Sequence, residues 1–222
     1  MDEETRIRAL WDANAAAWTH AVRSGGIRSR RVATDGAILD AVLARHPRTA
    51  LDIGCGEGWL VRALAALDID VLGVDGARAL IEQAQAAGPG RYRVRTQEAL
   101  GEHGLDARFD VVTCNFALFG KTVVERLFER VPEWLQPGGA LIIQTLHPDS
   151  VCDGAEARDG WRSGSWQGCG DGFGDAPPWY FRTLASWTAL IEASGLRVVE
   201  CRTPRDPEGG RALSLLLVAE AA

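Results

Sequence analysis

Asp52, Gly54, Gly56 and Gly58 alternate through the stretch Leu51-Asp52-Ile53-Gly54-Cys55-Gly56-Glu57-Gly58-Trp59-Leu60. Three glycines at this spacing let the backbone take left-handed or crowded conformations and leave no side chain between its N–H groups and a ligand. Where a strand gives way to a helix, such a turn is expected to bind an anion. Asp52 falls at the strand's carboxyl end, the edge at which open α/β sheets take up ligands. Asp75 follows 23 positions later at the end of Asp70-Val71-Leu72-Gly73-Val74-Asp75. A carboxylate at the tip of a second strand can accept hydrogen bonds from both hydroxyls of a ribose. His147 comes after the apolar run Ala140-Leu141-Ile142-Ile143-Gln144-Thr145-Leu146. Imidazole titrates near neutrality, so it could take a proton from a hydroxyl substrate; its alternative use is to cap the strand end or bond into a lid.

The elements that must position these groups show in the periodicity. Leu60, Val61, Leu64 and Leu67 recur at helical spacing after the glycine turn, and Thr49-Ala50-Leu51 with Ile53 is a short apolar strand before it. Residues 4 to about 22 are compatible with a helix whose Trp11 and Trp18, seven apart, share one face. That face covers either the sheet's edge or a bound ligand. A basic, glycine-hinged turn from Arg23 to Arg31 leads to a second helix, 32 to about 45. Strands are expected at 91 to 95, from 109 into a loop at 118, at 140 to 146, at 196 to 202 and at 212 to 218, with helices at 121 to 134 and 183 to 193. Residues 149 to 180 interleave glycines with Trp161, Trp166, Phe173, Trp179 and Tyr180. Long loops in compact domains are usually functional, and this one suits a mobile flap over an apolar pocket.

The acid built into the strand ahead of Gly-x-Gly-x-Gly departs from the G-x-G-x-x-G dinucleotide fingerprint. It resembles the first motif of class I S-adenosylmethionine-dependent methyltransferases. Leu135-Gln136-Pro137-Gly138-Gly139 before an apolar strand is similar to the fifth-strand signature of that family, and Phe109 to Leu118 to its fourth motif. The resemblance covers about residues 47 to 222. It implies a Rossmann-like, doubly wound α/β fold with a seven-stranded, mostly parallel sheet whose last strand is antiparallel. Residues 1 to 46 would form a helical cap. It also implies S-adenosyl-L-methionine as cofactor, with a methyl group passed to an oxygen, nitrogen or carbon of a small-molecule acceptor. The backbone at Gly54, Cys55, Gly56 and Gly58 would meet the methionyl end of the cofactor. Asp52 would help hold its amino group, and Arg30 or Arg31 its carboxylate. Asp75 with Gly76 would take the ribose, Gln97 or Glu98 the adenine, and Asn115 with Leu118 the methyl end. Phe116-Ala117 stands where the enzymes that methylate bases or glutamine carry a proline pair, which disfavours that subclass. Trp179, Tyr180 and Arg182 are the candidates for substrate contact. The competing readings are a binding protein that keeps the cofactor pocket without turnover, and a nucleotide-dependent oxidoreductase, which would share Asp75.

A chain of 222 residues with 46% hydrophobic content can bury one α/β core. A net charge of −6 and a pI near 5.3 disfavour nonspecific attraction to nucleic acid or an anionic membrane. Five scattered cysteines, none in C-x-x-C, fit a reducing cytoplasm, and the start Met1-Asp2-Glu3-Glu4 carries no signal peptide or membrane span. His147, Cys152, Asp153 and Cys169 match no common zinc spacing, so no metal is expected. A monomer or homodimer is expected.

Overall fold

A computed structural model describes residues 3–152 and 156–221. Met1 and Asp2 of the acidic start, Asp153 and Gly154 of the flap, and the terminal Ala222 lie outside the described residues. The chain forms a seven-stranded sheet in the order β3-β2-β1-β4-β5-β9-β8. Its strands are β1 (Thr49–Ile53), β2 (Asp70–Asp75), β3 (Arg91–Val94), β4 (Phe109–Asn115), β5 (Leu135–Thr145), β8 (Leu196–Arg202) and β9 (Leu215–Ala221). β1 to β5 pair in parallel; β9 inserts antiparallel between β5 and β8. The near-continuous apolar runs follow from having both faces covered. On one face α3 (Asp35–Leu43), α4 (Trp59–Ala65) and α5 (Arg78–Ala87) bury Ile38, Val42, Leu60, Leu64 and Ile81 against Ala50, Val71 and Ile142. On the other, α6 (Gln97–His103), α7 (Thr122–Arg130) and α9 (Leu184–Ala193) bury Leu100, Phe128 and Trp187 against Leu51, Val112 and Ile143.

Several boundaries differ from the sequence reading for identifiable reasons. The N-terminal helix is interrupted at Asn14 into α1 (Glu3–Ala13) and α2 (Ala15–Arg23), because the Asn14 amide bonds the Leu10 carbonyl and the distant flap instead of facing solvent. The Pro137-Gly138-Gly139 segment is no free turn: β5 already runs from Leu135 and absorbs it as a shift in register against β4. Pro132 closes α7 into a 3₁₀ turn, Val131–Trp134. The flap is not patternless either: after a one-turn helix α8 (Pro148–Val151), β6 (Gly160–Arg162) pairs antiparallel with β7 (Trp179–Phe181).

α1 and α2 cross above the carboxyl ends of the parallel strands. Glu4 accepts from the N–H groups of Lys121 and Val123 at the start of α7, at 3.1 and 3.0 Å, and Asp12 from that of Ala79 at the start of α5, at 3.0 Å. Carboxylates there complement the helix dipoles and satisfy otherwise unpaired donors.

The glycine turn itself is tightly built. Gly54 has φ +73°, and a Cβ there would collide with the Ala117 methyl. Gly54→Ala should therefore destabilise the protein by about 2 to 4 kcal/mol, combining the left-handed backbone cost with overpacking. Urea denaturation checks this, and an unchanged midpoint would contradict the packing described.

Candidate active site

Asp52 and Asp75 stand at the carboxyl ends of adjacent parallel strands. Asp52 is 2% exposed and accepts a 2.7 Å hydrogen bond from the Thr113 hydroxyl on β4. Burial lifts its carboxyl to about 7; the Thr113 bond pulls down and the nearby Asp75 charge pushes up. Asp75 accepts from the Gly56 N–H at 2.9 Å through one oxygen and from the Ala77 N–H at 2.8 Å through the other. Its carboxyl also lies above the usual range: burial outweighs these backbone donors, and Asp12 adds to the rise. Neither acid makes an ion pair with any described residue.

The turn does not offer the expected anion cradle. The Gly54 and Cys55 N–H groups both donate to the Val74 carbonyl, Gly56 to Asp75 and Gly58 to the Cys55 carbonyl. α4 is only seven residues long. With these donors met inside the protein, the turn offers close backbone approach and carbonyls more than a phosphate site. The Cys55 thiol is buried, and its pKa is raised by that burial and by Asp75 and Asp52.

Other predicted groups divide between those near the turn and those drawn elsewhere. Arg30 bonds Asp35 through Nε at 3.1 and 3.2 Å, leaving its terminal nitrogens without a hydrogen bond to described residues. Its guanidinium lies 4.8 Å from the Trp59 ring centroid and 6.0 Å from that of Trp18. Arg31 turns away to the Gly25 carbonyl at 2.6 Å, so of the two arginines only Arg30 reaches the turn. Gly76 lies beside Thr96 and Arg8. The Gln97 amide donates to the Ala117 carbonyl at 2.9 Å, and Glu98 pairs with Arg8 at 3.5 Å. Asn115 accepts from Gln144 at 2.8 Å; Gln144, itself buried, also donates to the Thr34 carbonyl and accepts from Ser214. Leu118 packs into the core with β1, β4 and α7 and so does not line the crevice.

Geometry gives two of the predicted site residues structural partners. His147 Nδ1 accepts from the Asp149 N–H at 3.1 Å, which caps α8, and Nε2 faces the Thr203 hydroxyl at 3.4 Å. His147 thus serves as the N-cap of α8, with its second ring nitrogen facing Thr203. Arg182 is buried, donates to the Gly120 and Lys121 carbonyls at 3.0 and 2.8 Å, and lies 5.1 Å from the Trp187 ring centroid. It fastens the flap's base to the β4–α7 loop. Tyr180 serves the same anchor, its N–H donating to the Phe119 carbonyl at 2.7 Å, while the Trp179 ring packs on Phe181.

What covers the turn is the helix pair together with the flap. Trp18 Nε1 lies 3.5 Å from the place a Gly56 Cβ would occupy. Trp11 meets Trp18, Phe119 and Trp166 at centroid distances of 5.2, 5.4 and 5.3 Å, and Trp166 stacks on Phe173 at 4.4 Å. The sequence reading missed Asn14, which is 3% exposed: its Oδ1 accepts from the Gly174 N–H at 2.7 Å and its Nδ2 donates to the Asp175 carbonyl at 3.1 Å. It also missed Glu57, buried inside the turn and paired with Arg23 and Arg62. Only the Arg62 spacing along α4 hinted at that pair. A hollow of about 270 Å³ lined by Arg48, Asp110 and Gly138 opens at the amino end of the strands, away from all these groups.

A parallel α/β sheet with acids at two neighbouring strand tips, a glycine turn between them and an aromatic cover defines a strand-end ligand site. Comparison with known proteins names its class. Residues 50–139 match the model of a methyltransferase domain. A ubiquinone biosynthesis O-methyltransferase of Methylobacterium nodulans is 34% identical over 175 residues, 72% of this chain and 65% of that protein. One from Chelativorans sp. is 32% identical over 120 residues, 48% and 47% of the two chains. The crystal structure of an S-adenosylmethionine-dependent methyltransferase from Mesorhizobium loti superposes with a TM-score of 0.62 at 26% identity, over 81% of this chain and 95% of that one. The chain spans about half the length of the curated relatives it matches. This chain belongs to the class I S-adenosylmethionine-dependent methyltransferases.

Asn14→Ala should free the flap from the helix pair. Limited proteolysis within residues 163 to 178 should speed up several-fold while the global midpoint falls by only about 1 to 3 kcal/mol, the cost of the lost buried hydrogen bonds. Unchanged cleavage would show that the aromatic contacts alone hold the flap.

Proposed function

We propose that this protein transfers the methyl group of S-adenosylmethionine to an oxygen of a small organic acceptor in the cytoplasm, with α1 and α2 as the cap over the site. The observation that carries this reading is the pair of carboxylates, buried Asp52 and half-buried Asp75, set at adjacent strand tips without an ion pair to any described residue. A carboxyl held near 7 has its charged form disfavoured by roughly 4 kcal/mol with the Thr113 hydroxyl bond already in place. An ammonium group beside Asp52 would supply the missing charge. Asp75 retains lone pairs for two sugar hydroxyls, and the free terminal nitrogens of Arg30 suit a carboxylate. Gln97 and Glu98 flank the position for a base. A pyrophosphate finds no such match, because the turn's own donors are largely used.

The bound cofactor supplies a methyl already activated on a cationic sulfur. The chain's residues then need only orient the acceptor and exclude water. Trp11, Phe119, Trp166 and Phe173 form an apolar wall suited to both tasks, and we assign acceptor contact to these instead of to Tyr180 and Arg182. Oxygen as the receiving atom is supported by the O-methyltransferase names of the relatives. Formation of S-adenosylhomocysteine with a panel of small hydroxylated acceptors tests the activity. Binding of S-adenosylhomocysteine with no turnover on any acceptor would instead favour a non-enzymatic binder.

The raised Asp52 carboxyl gives a pH test. In the free protein this group favours folding most below the ordinary carboxylate pKa and loses that contribution as pH rises through about 7. A ligand ammonium reverses the preference by holding the carboxylate charged, so binding below about 7 must expel a proton. S-adenosylhomocysteine affinity, measured by calorimetry in buffers of different ionisation enthalpy, should rise up to about tenfold per pH unit between 6 and 7 with proton release. Asp52→Asn should flatten that dependence and weaken binding at pH 8. Affinity independent of pH in the wild type would remove Asp52 from the site.

A further inference from the structure

Glu57 occupies the variable position between Gly56 and Gly58, and its side chain is fully buried. Both carboxylate oxygens are met by Arg62 Nη2 at 2.9 and 2.8 Å, and Arg62 Nη1 donates to Glu57's own carbonyl at 2.6 Å. That local clamp between the turn and α4 alone would hold the turn. A second guanidinium nonetheless arrives from the last turn of α2: Arg23 Nε bonds Glu57 Oε2 at 2.7 Å, and Arg23 Nη2 donates to the Gln83 carbonyl in the middle of α5 at 2.8 Å. The same short helix carries Trp18, five residues earlier, whose indole rests against Gly56. Arg23 is thus tied at one end to the cofactor turn and at the other to the helix that flanks it.

We propose that the Arg23–Glu57 pair is the latch of the cofactor lid, with Arg23 and Glu57 as positioning residues that hold Trp18 over the glycine turn and set how slowly bound cofactor leaves. The inference rests on the cofactor reading above. A buried carboxylate stripped of its only partner is strongly destabilising, but Glu57 keeps Arg62 when Arg23 is removed. Arg23→Met therefore opens the lid and leaves the turn folded. By holding Trp18 over the turn the latch acts mainly on dissociation, the step in which most affinity differences between variants of one site appear.

The test is a chase experiment in which radiolabelled S-adenosylmethionine, bound to the full chain, is displaced by excess S-adenosylhomocysteine. Arg23→Met should speed dissociation about tenfold with association changed less than twofold, and Arg23→Lys should recover part of the loss by restoring the charge. Trp18→Leu should have a similar effect, and the double variant Arg23→Met with Trp18→Leu should be no faster than the worse single one, because both remove the same cover. Should Arg23→Met not fold, Trp18→Leu with Arg23→Lys carries the same comparison. Dissociation of Arg23→Met at the wild-type rate, no rescue by lysine, or additive effects in the double variant would each overturn the latch. Failure of the wild-type chain to bind S-adenosylmethionine would strike the cofactor reading instead.

Discussion

Two acids that no described residue meets with a counter-charge govern the carboxyl edge of this sheet. Burial raises both carboxyls, and parallel pairing of β1 with β2 puts Asp75 close enough to disfavour ionisation of Asp52 further. The chain answers with hydrogen bonds only: one hydroxyl from Thr113 to Asp52, and two backbone N–H groups to Asp75. By contrast it places two guanidiniums on Glu57 a few residues away. Arginine is therefore available locally, and its distribution leaves charge complementarity at Asp52 and Asp75 to a ligand. Asp75 meanwhile shapes the turn, since its bond to Gly56 ties the tip of β2 to the middle of the glycine bend.

The helix pair α1–α2 is the second organising element. Glu4 and Asp12 cap α7 and α5, Arg8 pairs with Glu98 at the start of α6, and Trp18 rests on Gly56. Each of these contacts falls where a helix or turn begins after a parallel strand, so one continuous stretch of chain closes the edge that the sheet leaves open. Through Asn14 and the Trp11–Trp166 contact the same stretch also holds the flap. Glycine turn and aromatic cover share one support, and a movement of α2 bears on both.

Much of the fold was legible because its signals are local. The strand ending at Ile53, the glycine turn and the acid-tipped second strand each rest on patterns within ten residues, while the antiparallel insertion of the last strand followed only from the family resemblance. The site was legible in its backbone and in its two acids for the same reason. What could not be read depends on partners distant in the chain: Asn14 reaches residues about 160 positions away, and Glu57 looks like an ordinary loop residue until Arg23 folds against it. β6 and β7 are three residues each, too short for an alternating pattern to emerge. His147 and Arg182 have the residue types of catalysis and recognition. Their roles as a helix cap and as an anchor follow from the Asp149 N–H and from the Gly120 and Lys121 carbonyls, which composition does not reveal.

A crystal structure of the protein with S-adenosylhomocysteine measures the central claim most directly. The account predicts the ligand's ammonium within hydrogen-bonding distance of Asp52, its ribose hydroxyls on Asp75, and Trp18 lifted from or stacked over the bound molecule. A ligand found elsewhere, with Trp18 still seated on Gly56 and Asp52 still bonded to Thr113 alone, would contradict it.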